Sequence, residues 1–406
     1  MQGDCRRMKG SAKRKREALE GDVRCKFYVK RKARTCTLRP TPGEEFCVHH
    51  KTKEKWIPCP LDPKHDVKEE ELEAHLRVCN VTKQKEMLES QEYYSKGINT
   101  DKGVEEQQGP KSLADFSQDE KQELISQLDS LVEKTEGKEC PDALKCAARG
   151  IAPEERSKIA KRRKRHVVQE EALIDYIRKI LGEDNFKSNS CYVEMGCGKG
   201  GLSKTISDTI GEGNQGTFVL VDRGAFSNKK CRVLRDRSDR CVNRLRIDIR
   251  DLDLWKVRLV KKGIEQGSKI AIVSKHLCGV ATDYTLRVVH GNCPDVVVIA
   301  LCCHNQCSFD AYCNRKWLTE TLGLTRRMFD CLRLMSSWAL ISSDDSDGDV
   351  EKRVEIGRKC KKLINLGRVN FLEQHGMVAH LVDYVSTVTT LENTLLVAYP
   401  KNKKLS

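Results

Sequence analysis

The chain has 406 residues with 20 cysteines, 33% charged residues and a formal charge of +15, enough for two or three folded units including a full catalytic domain. No run of about 18 apolar residues occurs, which leaves no readable membrane span or secretory signal and points to an intracellular chain whose cysteines bind metal or pack as small hydrophobes rather than pair. Clustered Lys and Arg release counterions from a phosphate backbone, so the charge makes nucleic acid the expected partner.

Residues 1–20 are basic, lack a hydrophobic period and read as a disordered arm. Within it Lys13 to Arg16 fits either a nuclear signal or an RNA-holding tail, so nuclear and cytoplasmic residence both stay open. Residues 21–52 hold Cys25, Cys36, Cys47 and His50, four soft or borderline ligands that suit tetrahedral zinc. His49 adjoins His50, but the two residues between Cys47 and His50 let the chain fold back onto one metal. Phe27, Tyr28, Lys30, Arg31, Lys32 and Arg34 lie between the first two ligands and make a plausible RNA surface. Residues 55–82 hold a second set, Cys59, His65, His75 and Cys79. His75 and Cys79 stand four apart in the helical stretch KEEELEAHLRVC and share a face, opposite the turn LDPK. Each set fills four positions, so both zinc ions are expected to be structural.

Residues 83–150 read as a polar linker with one helix, where Leu124, Ile125, Leu128, Leu131 and Val132 recur at helical spacing. From 151 to 402 the pattern becomes that of an α/β, doubly wound, Rossmann-like domain. The basic run Lys161 to Arg165 and the helical HVVQEEALIDYIRKIL precede apolar strands separated by helices.

In CYVEMGCGKGGLSKTI a strand passes through glycines into a helix start, where a ligand meets backbone N–H groups. Gly196, Gly198 and Gly201 fit a dinucleotide pattern, while Gly196, Gly198 and Gly200 fit the E-x-G-x-G-x-G pattern of methyltransferases. The surrounding carboxylates separate the two. Glu194 would assist a methionyl ammonium and repel a pyrophosphate, Asp222 in FVLVDRG would accept both ribose hydroxyls, and Asp248 in RLRIDIRDLDL would accept from an adenine amino group. The set points to S-adenosylmethionine.

Two further strands end in reactive residues, KIAIVSKHLCGVATDYTLR and DVVVIALCCHNQCSF. They bring Lys275, His276, Cys278, Cys302, Cys303 and His304 to the edge that carries the glycine loop. Methyl transfer to a ribose hydroxyl needs close positioning and a group that takes the departing proton, and His276, His304, Lys275 and Asp283 are the candidates. For Asp283 a helix cap, and for Lys275 phosphate steering, are the alternatives. Cys303 could act as a nucleophile in base methylation. Cys302, Cys303, His304 and Cys307 could ligate a metal, although neighbours on an extended strand end should point opposite ways, which disfavours a shared ion. The closing HLVDYVSTVTTLENTLLVAYP reads as an antiparallel pair around a turn, with Glu392 and Asn393 opening the last strand.

In order, the C-C-C-H set, the C-H-H-C set, VEMGCGKGGLS, SKHLCGVATD, ALCCHNQC and LENTLLVA resemble the eukaryotic tRNA 2'-O-methyltransferases that modify nucleotide 4 of the acceptor stem. The resemblance spans nearly the whole chain. It implies a tRNA substrate, S-adenosylmethionine as donor, zinc in the fingers and 2'-O-methylcytidine or 2'-O-methyladenosine as product. The C-H-H-C module also resembles an RNA-binding finger of minor-spliceosome proteins. The K-D-K-E tetrad of other ribose methyltransferases is not recognisable, so the catalytic assignments rest on position. No obligate protein partner is readable. A zinc-finger RNA-binding scaffold with an inactive methyltransferase-like domain, or an RNA base methyltransferase, is the alternative.

Overall fold

The computed structural model describes residues 24–29, 34–50, 55–101, 103–104, 106–135, 141, 144, 162–227, 229–289, 291–341 and 348–403, with the side chains of 162–164 left out. The basic arm with Lys13 to Arg16, the loop cations Lys30 to Lys32 and, of the run Lys161 to Arg165, Lys161 lie outside the described residues. The rest falls into two compact units, one up to Met87 and one from Leu88 onward.

The first unit is held by little apolar surface. A two-residue ladder joins β1 (Tyr28–Val29) to β2 (Arg34–Thr35), and β3 (Trp56–Pro58) pairs with β4 (Asp66–Lys68). α1 (Leu72–Val78) follows, then α2 (Asn80–Glu89). The buried residues of the two modules are Cys25, Cys36 and Cys47 in one and Cys59, Val67 and Cys79 in the other. Cores this small need a staple, which is what the cysteines themselves supply when they ligate metal. α1 stops at Val78, and Cys79 caps it with an extended ψ of 139°, so His75 and Cys79 do not share one continuous helix.

The second unit is built on a seven-stranded sheet. Its strands are β5 (Ser190–Met195), β6 (Gly216–Asp222), β7 (Arg240–Arg246), β8 (Lys269–Ser274), β9 (Val296–Ala300), β10 (Met377–Asp383) and β11 (Thr394–Pro400). They lie in the order β10-β11-β9-β8-β5-β6-β7. The first five are parallel, and β11 runs against β9 and β10, as the sequence pattern predicts. β11 starts at Thr394, so Glu392 and Asn393 belong to the turn before it.

Because side chains alternate across a strand, β5 feeds both faces. Cys191, Val193 and Met195 enter one apolar cluster, and Tyr192 enters the other. Helices cover both faces, which is why β5 and β9 are buried along their whole length.

The helices are α3 (Gln118–Glu133), α4 (Arg162–Leu181), α5 (Glu183–Ser188), α6 (Gly201–Ile210), α7 (Cys231–Arg235), α8 (Arg258–Glu265), α9 (Val280–Arg287), α10 (Arg326–Met335) and α11 (Gly348–Gln374). The strand order reverses between β5 and β8, and the crevice outside their carboxyl ends is where an α/β sheet binds ligands.

The expected linker is a correction: from Leu88 to Thr135 the chain belongs to the second unit. α3, capped by Ser117 and Glu120, buries Leu124, Leu128 and Leu131 in a third cluster with Phe329, Leu332 and Leu363. Asn99 donates to the carbonyls of Ile249 and Leu252 at 2.6 and 2.8 Å, and Asp101 pairs with Arg287 and Arg315. One apolar stripe on an otherwise polar segment is enough to require burial.

Candidate active site and metal centres

The glycine loop follows β5 at the switch point. Gly196, Gly198 and Gly200 have φ of 64°, 49° and 79°, a left-handed run that side-chain-bearing residues rarely adopt. At Gly196 the requirement is doubled, because a Cβ would stand 3.1 Å from the His276 carbonyl oxygen. Asp222, at the end of β6, pins the loop by accepting from Gly198 N and Gly224 N, both at 2.7 Å. Arg244 donates to the Gly198 carbonyl from the other side.

The loop borders a cleft of about 320 Å³ whose wall includes Gly196, Asp222, Ile247, Asp248, His276 and Tyr284. Each Asp222 oxygen has spent one acceptor site on the backbone and keeps another, which suits a vicinal diol. Asp248 uses Oδ1 to cap the turn at Arg250 N, 3.0 Å away, and faces the same cleft. Ile247, Ile249 and Val280 supply apolar wall for a flat ring. Two carboxylates, apolar walls and a loop of N–H groups before α6 match the adenosyl and amino-acid parts of S-adenosylmethionine.

Glu194 is not on that wall. Its carboxylate is buried and accepts from Ser203 N at 3.0 Å and from the Ser203 hydroxyl, so it ties the end of β5 to the first turn of α6. Burial, reinforced by the nearby Glu170 charge and opposed by the Ser203 hydrogen bonds, pushes its carboxyl up to about 7. A raised carboxyl favours folding while it is protonated, so its contribution is complete below the ordinary carboxylate range and is lost as pH rises through about 7. Relative to wild type, Glu194→Gln is therefore expected to gain stability between about pH 4.5 and pH 8, read by denaturant titration of both proteins. A difference that stays flat with pH would contradict the assignment.

The five residues expected to carry the reaction separate. His276 is exposed and lines the cleft. Lys275 is turned away: its ammonium pairs with Glu170 of α4 at 2.7 Å and donates to the His166 carbonyl at 3.2 Å. Burial pulls that ammonium down from its usual range, against the pull of Glu170.

Asp283 is fully buried in an ion pair with Arg368, 2.8 Å from Oδ2 to Nη2, and so neither caps a helix nor meets solvent. His304 is also buried, with Nε2 2.8 Å from Asn365 Oδ1. Burial, then the charges of Arg368 and Lys361, hold its imidazole well below the usual range, hence neutral. For Asp283 and His304 the sheet edge was the correct place, but Asp283 sits on the first turn of α9 and His304 on the turn after β9, and both side chains point into the protein. Glu170 and Arg368 organise this region, and each stands among the ordinary charges of a helical pattern; a charge on the apolar stripe was the available signal.

The metal-ligating groups assemble as expected in the first unit. The ligand atoms of Cys25, Cys36, Cys47 and His50 lie within 4.8 Å of one another, as do those of Cys59, His65, His75 and Cys79. His50 Nδ1 is 3.3 Å from the sulfurs of both Cys25 and Cys47, and Cys36 and Cys47 are 4.0 Å apart. Tetrahedral zinc has sulfur–sulfur edges of about 3.8 Å and sulfur–nitrogen edges of about 3.5 Å. The donor sets fit zinc, and His50 rather than His49 is the ligand placed to bind it.

A third group was not expected. Cys278, Cys302 and Cys303 also bring their sulfurs within 4.8 Å of one another. Adjacent cysteines on a strand end should diverge, but β9 ends at Ala300 and Cys303 has φ of 50°, the one left-handed non-glycine among the described residues. Such a conformation costs about 1–3 kcal/mol. It breaks the strand alternation, so Cys302 and Cys303 both reach Cys278, at 4.0 and 3.3 Å. His304 and Cys307, which the sequence offers as further ligands only against the expected geometry, turn to Asn365 and Arg368 instead.

Comparison with known proteins agrees with this geometry. A family described as Methyltransferase TRM13 matches residues 168–399. Residues 23–51 match the CCCH zinc finger in TRM13 protein, and residues 56–80 match the U11-48K-like CHHC zinc finger. The tRNA:m(4)X modification enzyme TRM13 of Schizosaccharomyces pombe is 31% identical over 368 residues, covering 86% of this chain and 96% of that protein. The TRM13 homolog of Homo sapiens is 27% identical over 93% of this chain and 95% of its own length.

Proposed function

The chain belongs to the TRM13 methyltransferase family, and from that premise we propose that it methylates the ribose 2'-hydroxyl of nucleotide 4 in the acceptor stem of tRNA. S-adenosylmethionine supplies an electrophilic methyl on sulfonium sulfur. Everything else is positioning by the chain. Asp222 and Asp248 hold the nucleoside in the cleft and the glycine loop orients the amino-acid end.

The observation that carries the reading is that, of the five residues nominated for the reaction, His276 alone lines the cofactor cleft. We assign it the 2'-hydroxyl proton. Lys275, fixed by Glu170, holds the loop that presents it. The zinc modules contribute RNA contacts through Phe27, Tyr28 and Trp56, large rings left exposed on a unit with little apolar core. An A-form stem offers shape, phosphates and 2'-hydroxyls rather than base edges, which suits recognition by charge and stacking.

A tRNA transcript carrying a 2'-deoxynucleotide at position 4 tests this directly. The expected result is no methyl acceptance, with the all-ribo transcript methylated in the same assay. Continued methylation of the deoxy substrate would place the methyl on a base or at another site. His276→Ala is expected to lower kcat by about 10²–10⁴-fold while S-adenosylhomocysteine still binds.

A further inference from the structure

We propose that Cys278, Cys302 and Cys303 form a third metal site, a three-thiolate centre for a thiophilic ion of the zinc class at the rim of the cofactor cleft. Three sulfurs converge from two loops, the one after β8 and the one after β9. Their separations of 3.3 and 4.0 Å bracket the edge of a tetrahedral thiolate centre and resemble the 4.0 Å between Cys36 and Cys47 of the first finger.

The backbone supports this. Cys303 is held left-handed, with φ of 50°, a conformation that lets two consecutive cysteines serve one centre. A disulfide would use two of the three thiols and leave the third unexplained. An ion uses all of them.

No described residue adds a fourth His, Cys or carboxylate atom to the group. Three protein ligands with one position left to solvent is the arrangement of an open site rather than of a closed structural one. Cys278 is exposed and belongs to the cleft wall together with His276 and Gln306, so the centre adjoins the cofactor cleft. The ion joins the loop that carries His276 to the loop that follows β9, and it fixes both relative to the glycine loop. This centre is independent of the two finger sites.

The test is metal stoichiometry of the full chain, purified under reducing conditions without chelator and measured by plasma mass spectrometry. About three zinc ions per chain are expected in wild type, about two in Cys278→Ser and about two in Cys303→Ser. Cys25→Ser, which removes a finger ligand, should lose its own ion and keep the third. Because Cys278 is exposed, Cys278→Ser keeps the test decisive should Cys303→Ser fail to fold. Wild type with two ions, or Cys278→Ser with as many ions as wild type, overturns the proposal. So does alkylation mapping that finds a Cys278–Cys303 disulfide in a chain holding two ions.

Discussion

Asp222→Ala is expected to weaken S-adenosylhomocysteine binding by about 10²–10⁴-fold, measured by titration calorimetry. Two effects add. In the proposed binding mode the variant loses a charged acceptor for both ribose hydroxyls, at about 1.5–3 kcal/mol for each charge-assisted bond. It also releases Gly198 N and Gly224 N, which Asp222 holds at 2.7 Å, so the left-handed loop is no longer pinned. Asp222→Asn keeps one oxygen acceptor and should fall between the two. An Asp222→Ala protein that binds the ligand as wild type does would mean that the cleft at the end of β6 is not the cofactor site.

Asp283→Ala is expected to be the most damaging single change to stability. Arg368 is buried completely; burial opposes its charge, but the Asp283 carboxylate outweighs that and keeps the guanidinium protonated. Its other partners are the Asn365 side-chain oxygen at 3.3 Å and the Cys307 sulfur at 3.1 Å, neither of which replaces a carboxylate. Removing one partner of such a pair costs about 3–5 kcal/mol, a fall in Tm on the order of 10 °C for a unit of this size. Replacing both, Asp283→Leu with Arg368→Met, should recover much of the loss, because the remaining charge is then gone as well. The same variant separates two roles for Asp283. Loss of activity at unchanged Tm would make it catalytic after all; loss of Tm makes it a brace between α9 and α11, the role its burial assigns.

The parts of the molecule that were legible in the sequence are those governed by spacing. Ligands to one ion must be close in space and are often close in sequence, so both fingers were readable from Cys25 to Cys79. A glycine loop between a strand and a helix is likewise local, and the carboxylates at the ends of β6 and β7 follow from the rule that ligands sit at carboxyl edges.

What failed depends on where a loop goes after its strand ends. The sequence places Asp283, His304 and Cys303 at one edge, but it does not say that the first two turn inward to Arg368 and Asn365. It says even less of the left-handed turn at Cys303, because a non-glycine residue gives no local sign of positive φ. The supposed linker misled for a different reason. Its polarity is that of a surface segment, and only the stripe from Leu124 to Leu131 shows that it is covered by α10 and α11.

The measurement that tests the account most directly is transfer of a tritiated methyl group from S-adenosylmethionine to unmodified tRNA by zinc-replete protein, followed by complete alkaline hydrolysis. A 2'-O-methyl blocks cleavage of the adjoining 3' phosphodiester, so label is expected in an alkali-resistant dinucleotide that begins at nucleotide 4. Label in mononucleotides would place the methyl on a base, and no label at all would leave the chain an RNA-binding protein with a silent methyltransferase fold.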